Sequence, residues 1–422
     1  MTSPAAVPPF HERAPHLAAA ALALAISVGL LAILFGPLRL ERRLSRLAAP
    51  EMLEVKDQSV GLQEAAFGDR NLLPVYGSSE FRNDTPFAGR VFFSQAPTGF
   101  ELFTVGKAGA KTLIIAERLA ALGNAIRGRK VVIILSPTWF VSPPEPADAY
   151  DGNFSALQAE ALVFDSPISR SLKRRFAREM LKQPASLASH GLLKLELQRL
   201  AAGRHSIEDR LIGDLGRPEV QFQQLLDRAE SAFALSGEIL DHPAGLSEAS
   251  LRTKSRPDWP QLLAAATDFA RKNSYATPRK HARARLEKGE ERLENLFDAS
   301  KNPRAFVEAL ARSDEWGHLD ILLRTLKELG ARPLFLSIPL NATAFESVGV
   351  PPDQLALYYA TLRREIGAYG FPVETFERHQ NDPAFFGDSM GHPSAKGWMT
   401  FNRTMSAFYH GKLPTEGAPP PK

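Results

Sequence analysis

Strand-length apolar runs alternate with helix-length segments in this chain, and that alternation restricts the fold more than any other feature of the sequence. Residues 130–135 (KVVIIL) form a strand stopped by Ser136-Pro137. Residues 72–76 are strand-like, although Pro74 weakens the run. Residues 333–338 and 371–374 supply further strands, and 91–93 a minor one. Helical patterns fill the intervals at 112–122, 318–329 (closed by Gly330), 354–368 and 395–409. Strands separated by helices pair in parallel through right-handed crossovers, so the expected class is α/β. Residues from about 155 to 315 carry amphipathic helical patterns near 169–183, 219–235, 259–272, 279–297 and 303–312, and are expected to be a helical insertion.

The N-terminus has a different character. Residues 17–35 (LAAAALALAISVGLLAILF) contain no charge and no proline, about the length that crosses a bilayer core. The run ends at Gly36-Pro37 without the small-residue cleavage site of a signal peptide, so 17–37 is expected to be an uncleaved anchor. Residues 1–16 and the tail 414–422 are Pro-rich and expected to be disordered, 38–70 a stalk, and 71–413 the globular domain. Arg39, Arg42, Arg43 and Arg46 follow the span, and counting them literally would keep that domain in the cytoplasm. A net charge of +4 gives no case for nucleic acid, while the basic balance suits an anionic polymer or headgroup surface. Without cysteine the chain has no disulfide, thiolate nucleophile or thiolate metal site. No paired-histidine metal motif and no phosphate loop stands out, so no metal and no cofactor are expected.

In open parallel sheets, active residues gather beyond the C-terminal ends of the strands. Ser79, Thr138, Asn341 and His392 each follow a strand, which is the reason to place them in one site. A serine needs a base to attack an acyl carbon at neutral pH, and a carboxylate best holds that base in its working tautomer. Gly77-Ser78-Ser79-Glu80 supplies the hydroxyl, and Asp388 and His392 on one short loop supply acid and base. Both Ser78 and Ser79 are candidates for the nucleophile. A turn from strand to helix also aims backbone amides at a developing oxyanion, and the glycine loop at Gly106 and Gly109 is a second source of such donors. Trp139 is a candidate pocket wall.

The order of these elements resembles the D-alanine transfer protein family of the teichoic acid D-alanylation system. The resemblance rests on the anchor, Val75-Tyr76-Gly77-Ser78-Ser79-Glu80, Ile134-Leu135-Ser136-Pro137-Thr138-Trp139-Phe140, Pro339-Leu340-Asn341, and His392 with Gly397-Trp398. It implies an SGNH-hydrolase-like parallel-sheet domain with a helical insertion, standing outside the cytoplasm. It also implies Ser79 as nucleophile, His392 as base and Asp388 as the orienting acid. The implied partners are a membrane-bound O-acyltransferase, a D-alanyl carrier protein and an envelope glycopolymer acceptor. The chain departs from the SGNH pattern in two places. Three residues rather than two separate Asp388 from His392, which puts Ser389 where the usual spacing has the acid, and no Gly-x-Asn-Asp block follows residue 135. The chain is therefore expected to be a serine acyltransferase or esterase of the cell envelope. The alternatives are a non-catalytic docking subunit of an acylation complex and a hydrolase facing the cytoplasm.

Overall fold

The computed structural model describes residues 38–82, 85–96, 98–141, 147–203, 207–241, 256–273, 291, 293–297, 302–388 and 391–413, with residues 19, 20, 22–24, 26 and 27 nearer the N-terminus. The expected disordered ends and most of the expected anchor lie outside them. Among the described residues, no helix is long and apolar enough to cross a membrane.

Five parallel strands form one small sheet in a mostly helical molecule. They are β1 (Leu72–Tyr76), β2 (Glu101–Val105), β3 (Lys130–Leu135), β4 (Arg332–Ser337) and β5 (Val373–Glu374), in the order β2-β1-β3-β4-β5. Both faces of the strands are covered, so side chains alternate between two cores. Tyr76, Phe103, Ile133 and Phe335 enter one, and Val75, Leu102, Ile134 and Leu336 the other.

The helices include α1 (Leu38–Ala48), α2 (Glu54–Gln58), α3 (Val60–Gly68), α4 (Gly89–Gln95), α5 (Thr112–Ala121), α6 (Ile207–Asp241), α7 (Trp259–Asn273), α8 (Glu315–Leu329), α9 (Pro352–Gly367) and α10 (Ala395–Tyr409), with further helices, Arg170–Met180 and Gly191–Ala202 among them, between some of these. The chain steps from β1 outward to β2 through α4, then reverses through α5 to β3 and continues through α8 and α9. Right-handed crossovers in opposite directions put their helices on opposite faces. Phe92 and Phe93 of α4 accordingly pack in the second core, and residues of α5, α8 and α9 in the first.

Three sequence-based expectations change here. Residues 91–93 lie in α4 rather than in a strand. The strand that pairs with β1 is Glu101–Val105, where Glu101 and Thr104 interrupt the apolar pattern. Residues 38–70 are packed into the domain: Leu44, Ala48, Val60, Leu62 and Phe67 belong to the first core.

The helical insertion is likewise woven into the fold. Asp227 of α6 accepts hydrogen bonds from the Ser59 hydroxyl at 3.0 Å and the Gly61 amide at 2.9 Å, holding the start of α3. Helix α7 lies on the second face of the sheet beside α10, with Ala266 and Ala270 in that core and Phe269 edge-on to Phe87.

Candidate active site

The order β2-β1-β3-β4-β5 reverses direction between β1 and β3, and such a switch point leaves a crevice beyond the strand ends. Gly77-Ser78-Ser79 leaves β1 at that point and enters a 3-10 turn over Ser79–Arg82. The two serines part company there. Ser78 is buried, and its hydroxyl donates to the Lys107 carbonyl at 3.2 Å. Ser79 is half-buried, and its hydroxyl oxygen shares a hydrogen bond with His392 Nε2 at 2.8 Å.

His392 is placed by a tight loop before α10. Gly391 takes φ +97°, and this left-handed residue folds the chain back on Asp388. One Asp388 oxygen accepts the His392 amide at 3.1 Å, and the other meets His392 Nδ1 at 2.6 Å. Across the Asp-x-x-x-His spacing the carboxylate therefore still reaches the ring. Ser389 lies outside the described residues. Burial works against the Asp388 carboxylate, but the bonds from the His392 ring and from the His392 and Gly391 amides outweigh it and hold its pKa below the usual 3.8. With Nδ1 facing a carboxylate, the favoured neutral tautomer carries its proton there and leaves the Nε2 lone pair toward Ser79.

Downstream, Ser394 caps α10 by accepting from the Lys396 and Gly397 amides. Trp398, one turn on, stacks on Phe81 with ring centroids 6.3 Å apart, which ties the histidine helix to the serine turn.

The other candidates take different places. Gly106, φ +144°, lies against Gly77, and a Cβ there would sit 2.0 Å from the Gly77 carbonyl oxygen. Its amide donates to Asp57 of α2 at 2.5 Å, so this N–H is already engaged and does not point to an oxyanion. Asp57 in turn faces the fully buried Arg118 at 3.6 Å. Nothing in the sequence around Asp57 or Arg118 marks this pair, since α2 falls in the segment expected to be a stalk.

Gly109 is the left-handed residue of the neighbouring turn, beside Asn153. Thr138 shares a hydrogen bond with Ser136 at 2.8 Å. Asn341 caps the short helix Ala342–Ser347 by accepting from the Ala344 amide. Trp139 lines a cavity of about 530 Å³ together with Leu113, Ile114, Tyr150, Phe297 and His318. Among the described residues, nothing accepts from the Ser79 amide at the head of its turn. Nor do the described residues bring three histidine or acidic side chains together as metal ligands.

The sequence profile of the family described as "DltD protein" matches residues 49–410, which take in both Ser79 and His392. The chain belongs to the DltD family. Protein DltD of Bacillus subtilis (strain 168) is 27% identical over 352 residues, covering 83% of this chain and 86% of the relative. Protein DltD of Staphylococcus aureus (strain NCTC 8325 / PS 47) is 22% identical over 353 residues, covering 83% and 84%. That of Lacticaseibacillus rhamnosus is 23% identical over 339 residues, covering 80% and 77%. The DltD family is the D-alanine transfer family that the sequence motifs resemble, and membership gives this chain a role in D-alanylation alongside the other proteins of that system.

Proposed function

We propose that this DltD-family chain is a membrane-anchored serine acyltransferase or esterase. It works outside the cytoplasm in D-alanylation, or a related O-acylation, of an envelope glycopolymer. The observation that carries this reading is the continuous line Ser79 Oγ, His392 Nε2, His392 Nδ1, Asp388 Oδ2 at the switch point of the sheet.

The chemistry follows from that line. His392 Nε2 takes the Ser79 proton as Oγ bonds to the carbonyl carbon of an acyl ester or thioester. The imidazolium so formed is stabilised by Asp388. The carbonyl oxygen takes up the negative charge beside the Ser79 amide, a donor with no other acceptor among the described residues. Collapse expels the leaving group, which takes the proton from His392, and an acyl-Ser79 ester remains. A hydroxyl of the glycopolymer, or water, then gives its proton to His392 and attacks that ester. The acyl product leaves, and Ser79 recovers its proton. Transfer and hydrolysis differ only in which hydroxyl enters at this last stage.

The apolar run at 17–35 supports anchoring, and Leu22, Leu24 and Ile26 within it are exposed. Arg46, one of the arginines that follow the run, is ion-paired with Asp69, so its charge serves the fold as well as any topological signal. A membrane-bound O-acyltransferase and a D-alanyl carrier protein are the partners this role requires.

The full-length chain in detergent, mixed with p-nitrophenyl acetate, should release a burst of one nitrophenol per protein and retain one acetyl group. Ser79→Ala should show neither. A burst that survives in Ser79→Ala would refute the reading.

A further inference from the structure

Glu80 follows the Ser79 hydroxyl directly in the chain, yet its side chain is only 2% exposed. It turns back beneath the strand end, and one carboxylate oxygen accepts the Ser78 amide at 2.8 Å. The space is so tight that a Cβ on Gly77 would lie 1.9 Å from that oxygen and 2.8 Å from the Phe81 ring. Glycine at 77 is therefore what lets Glu80 occupy this place. A glutamate in an ordinary surface turn would extend into water. Here desolvation is accepted, and it must be offset by what the carboxylate holds.

We propose that Glu80 is a positioning residue for the Ser79–His392 pair, fixing through the Ser78 amide the turn that presents Ser79 Oγ and setting a buried carboxylate next to Ser79 in the chain. The proposal rests on the reading of Ser79 as nucleophile. Burial raises the Glu80 pKa to about 6, against the pull of the Ser78 amide, its own amide and His392. An imidazolium at His392 would pull it down as well, and His392 in turn faces Asp388. A carboxylate and an imidazolium attract one another when both are charged. Glu80 thereby favours the imidazolium that forms when Ser79 gives up its proton.

The test is the rate of inactivation of the full-length chain by a fluorophosphonate, followed against pH and mapped to the labelled residue. Glu80→Gln keeps an oxygen to accept from Ser78 and removes the charge. Its plateau rate should stay within about tenfold of wild type, while the midpoint of its acidic limb falls by roughly one pH unit, because the imidazolium has lost a nearby anion. Glu80→Ala also frees the turn, and its plateau should fall about 100-fold, as for a misplaced reacting group. An acidic limb of Glu80→Gln superimposed on that of wild type overturns the proposal, and so does a folded Glu80→Ala with the wild-type plateau. If Glu80→Ala does not fold, the Glu80→Gln limb alone decides. Wild-type protein that carries no label on Ser79 overturns the underlying reading, and the role of Glu80 with it.

Discussion

Ser79 Oγ and His392 Nε2 stand 2.8 Å apart across a separation of 313 residues. Two short stretches at opposite ends of the domain meet there because β1 is an inner strand of the sheet and α10 closes its second face. The same packing brings Phe81 onto Trp398, so the contact between the two side chains is backed by an aromatic contact nearby.

Asp388 should matter through its charge and its grip on Nδ1. Asp388→Asn should lower the acylation rate by roughly 10³–10⁴-fold, as loss of the tautomer-holding carboxylate does in serine hydrolases. The folded pKa of Asp388 lies below its usual 3.8, so its contribution to stability is present above that value and is lost as pH falls through the lower folded value. Thermal unfolding of wild type and Asp388→Asn between pH 2 and 6 should show the two curves converging at the acidic end.

The two serines should separate cleanly. Ser78→Ala loses a bond to the Lys107 carbonyl, worth about 1 kcal/mol, and should keep its acylation rate within about tenfold. Burst kinetics on this variant, with urea unfolding in parallel, measures both quantities.

Much of this arrangement is legible in the sequence because continuous apolar runs mark doubly covered strands. Residues 130–135 and 333–337 lie on β3 and β4 for that reason. Strand β2 escapes the pattern because Glu101 and Thr104 are polar although buried. Residues 91–93 mislead because a three-residue apolar run suits a strand or a buried helix equally. The Asp388–His392 loop is legible as chemistry but not as geometry: the reach of the carboxylate depends on the left-handed turn at Gly391, which spacing alone does not encode. The engagement of the Gly106 amide by Asp57 is invisible for a related reason, since it joins segments 49 residues apart through tertiary packing.

Gly106 and Gly109 should differ in their tolerance of a methyl group. At Gly106 the added Cβ meets the Gly77 backbone oxygen at 2.0 Å, whereas at Gly109 the nearest atom is the Asn153 side-chain nitrogen at 3.1 Å. Gly106→Ala should cost about 3 kcal/mol or more and Gly109→Ala about 1–2 kcal/mol, because only the first adds a backbone collision to a strained φ. Denaturant midpoints of the two variants check the order.

A half-buried cluster away from the serine should give the protein a second pH dependence. His318 of α8 meets Glu179 at 3.1 Å and Glu315 at 3.3 Å. Burial opposes its charge, but the two carboxylates prevail and raise its pKa from 6.5 to about 9. The stability it contributes is complete below pH 6.5 and is lost as pH rises through 9. Glu179, lowered to about 2 chiefly by its bond from His318, contributes above pH 4.5 and loses that contribution as pH falls through 2. His318→Gln should therefore cost about 3 kcal/mol near pH 6 and progressively less above pH 9, as measured by thermal unfolding across that range.

The central claim, that Ser79 is the nucleophile and His392 its base, is tested most directly by locating a covalent adduct. After brief exposure of the full-length chain to a fluorophosphonate at neutral pH, peptide mass mapping should find one adduct, on Ser79. Ser79→Ala should carry none, and His392→Ala should label at least about 10³-fold more slowly. An adduct on Ser78 or any other residue of the wild-type chain, or His392→Ala labelling at the wild-type rate, would contradict the account.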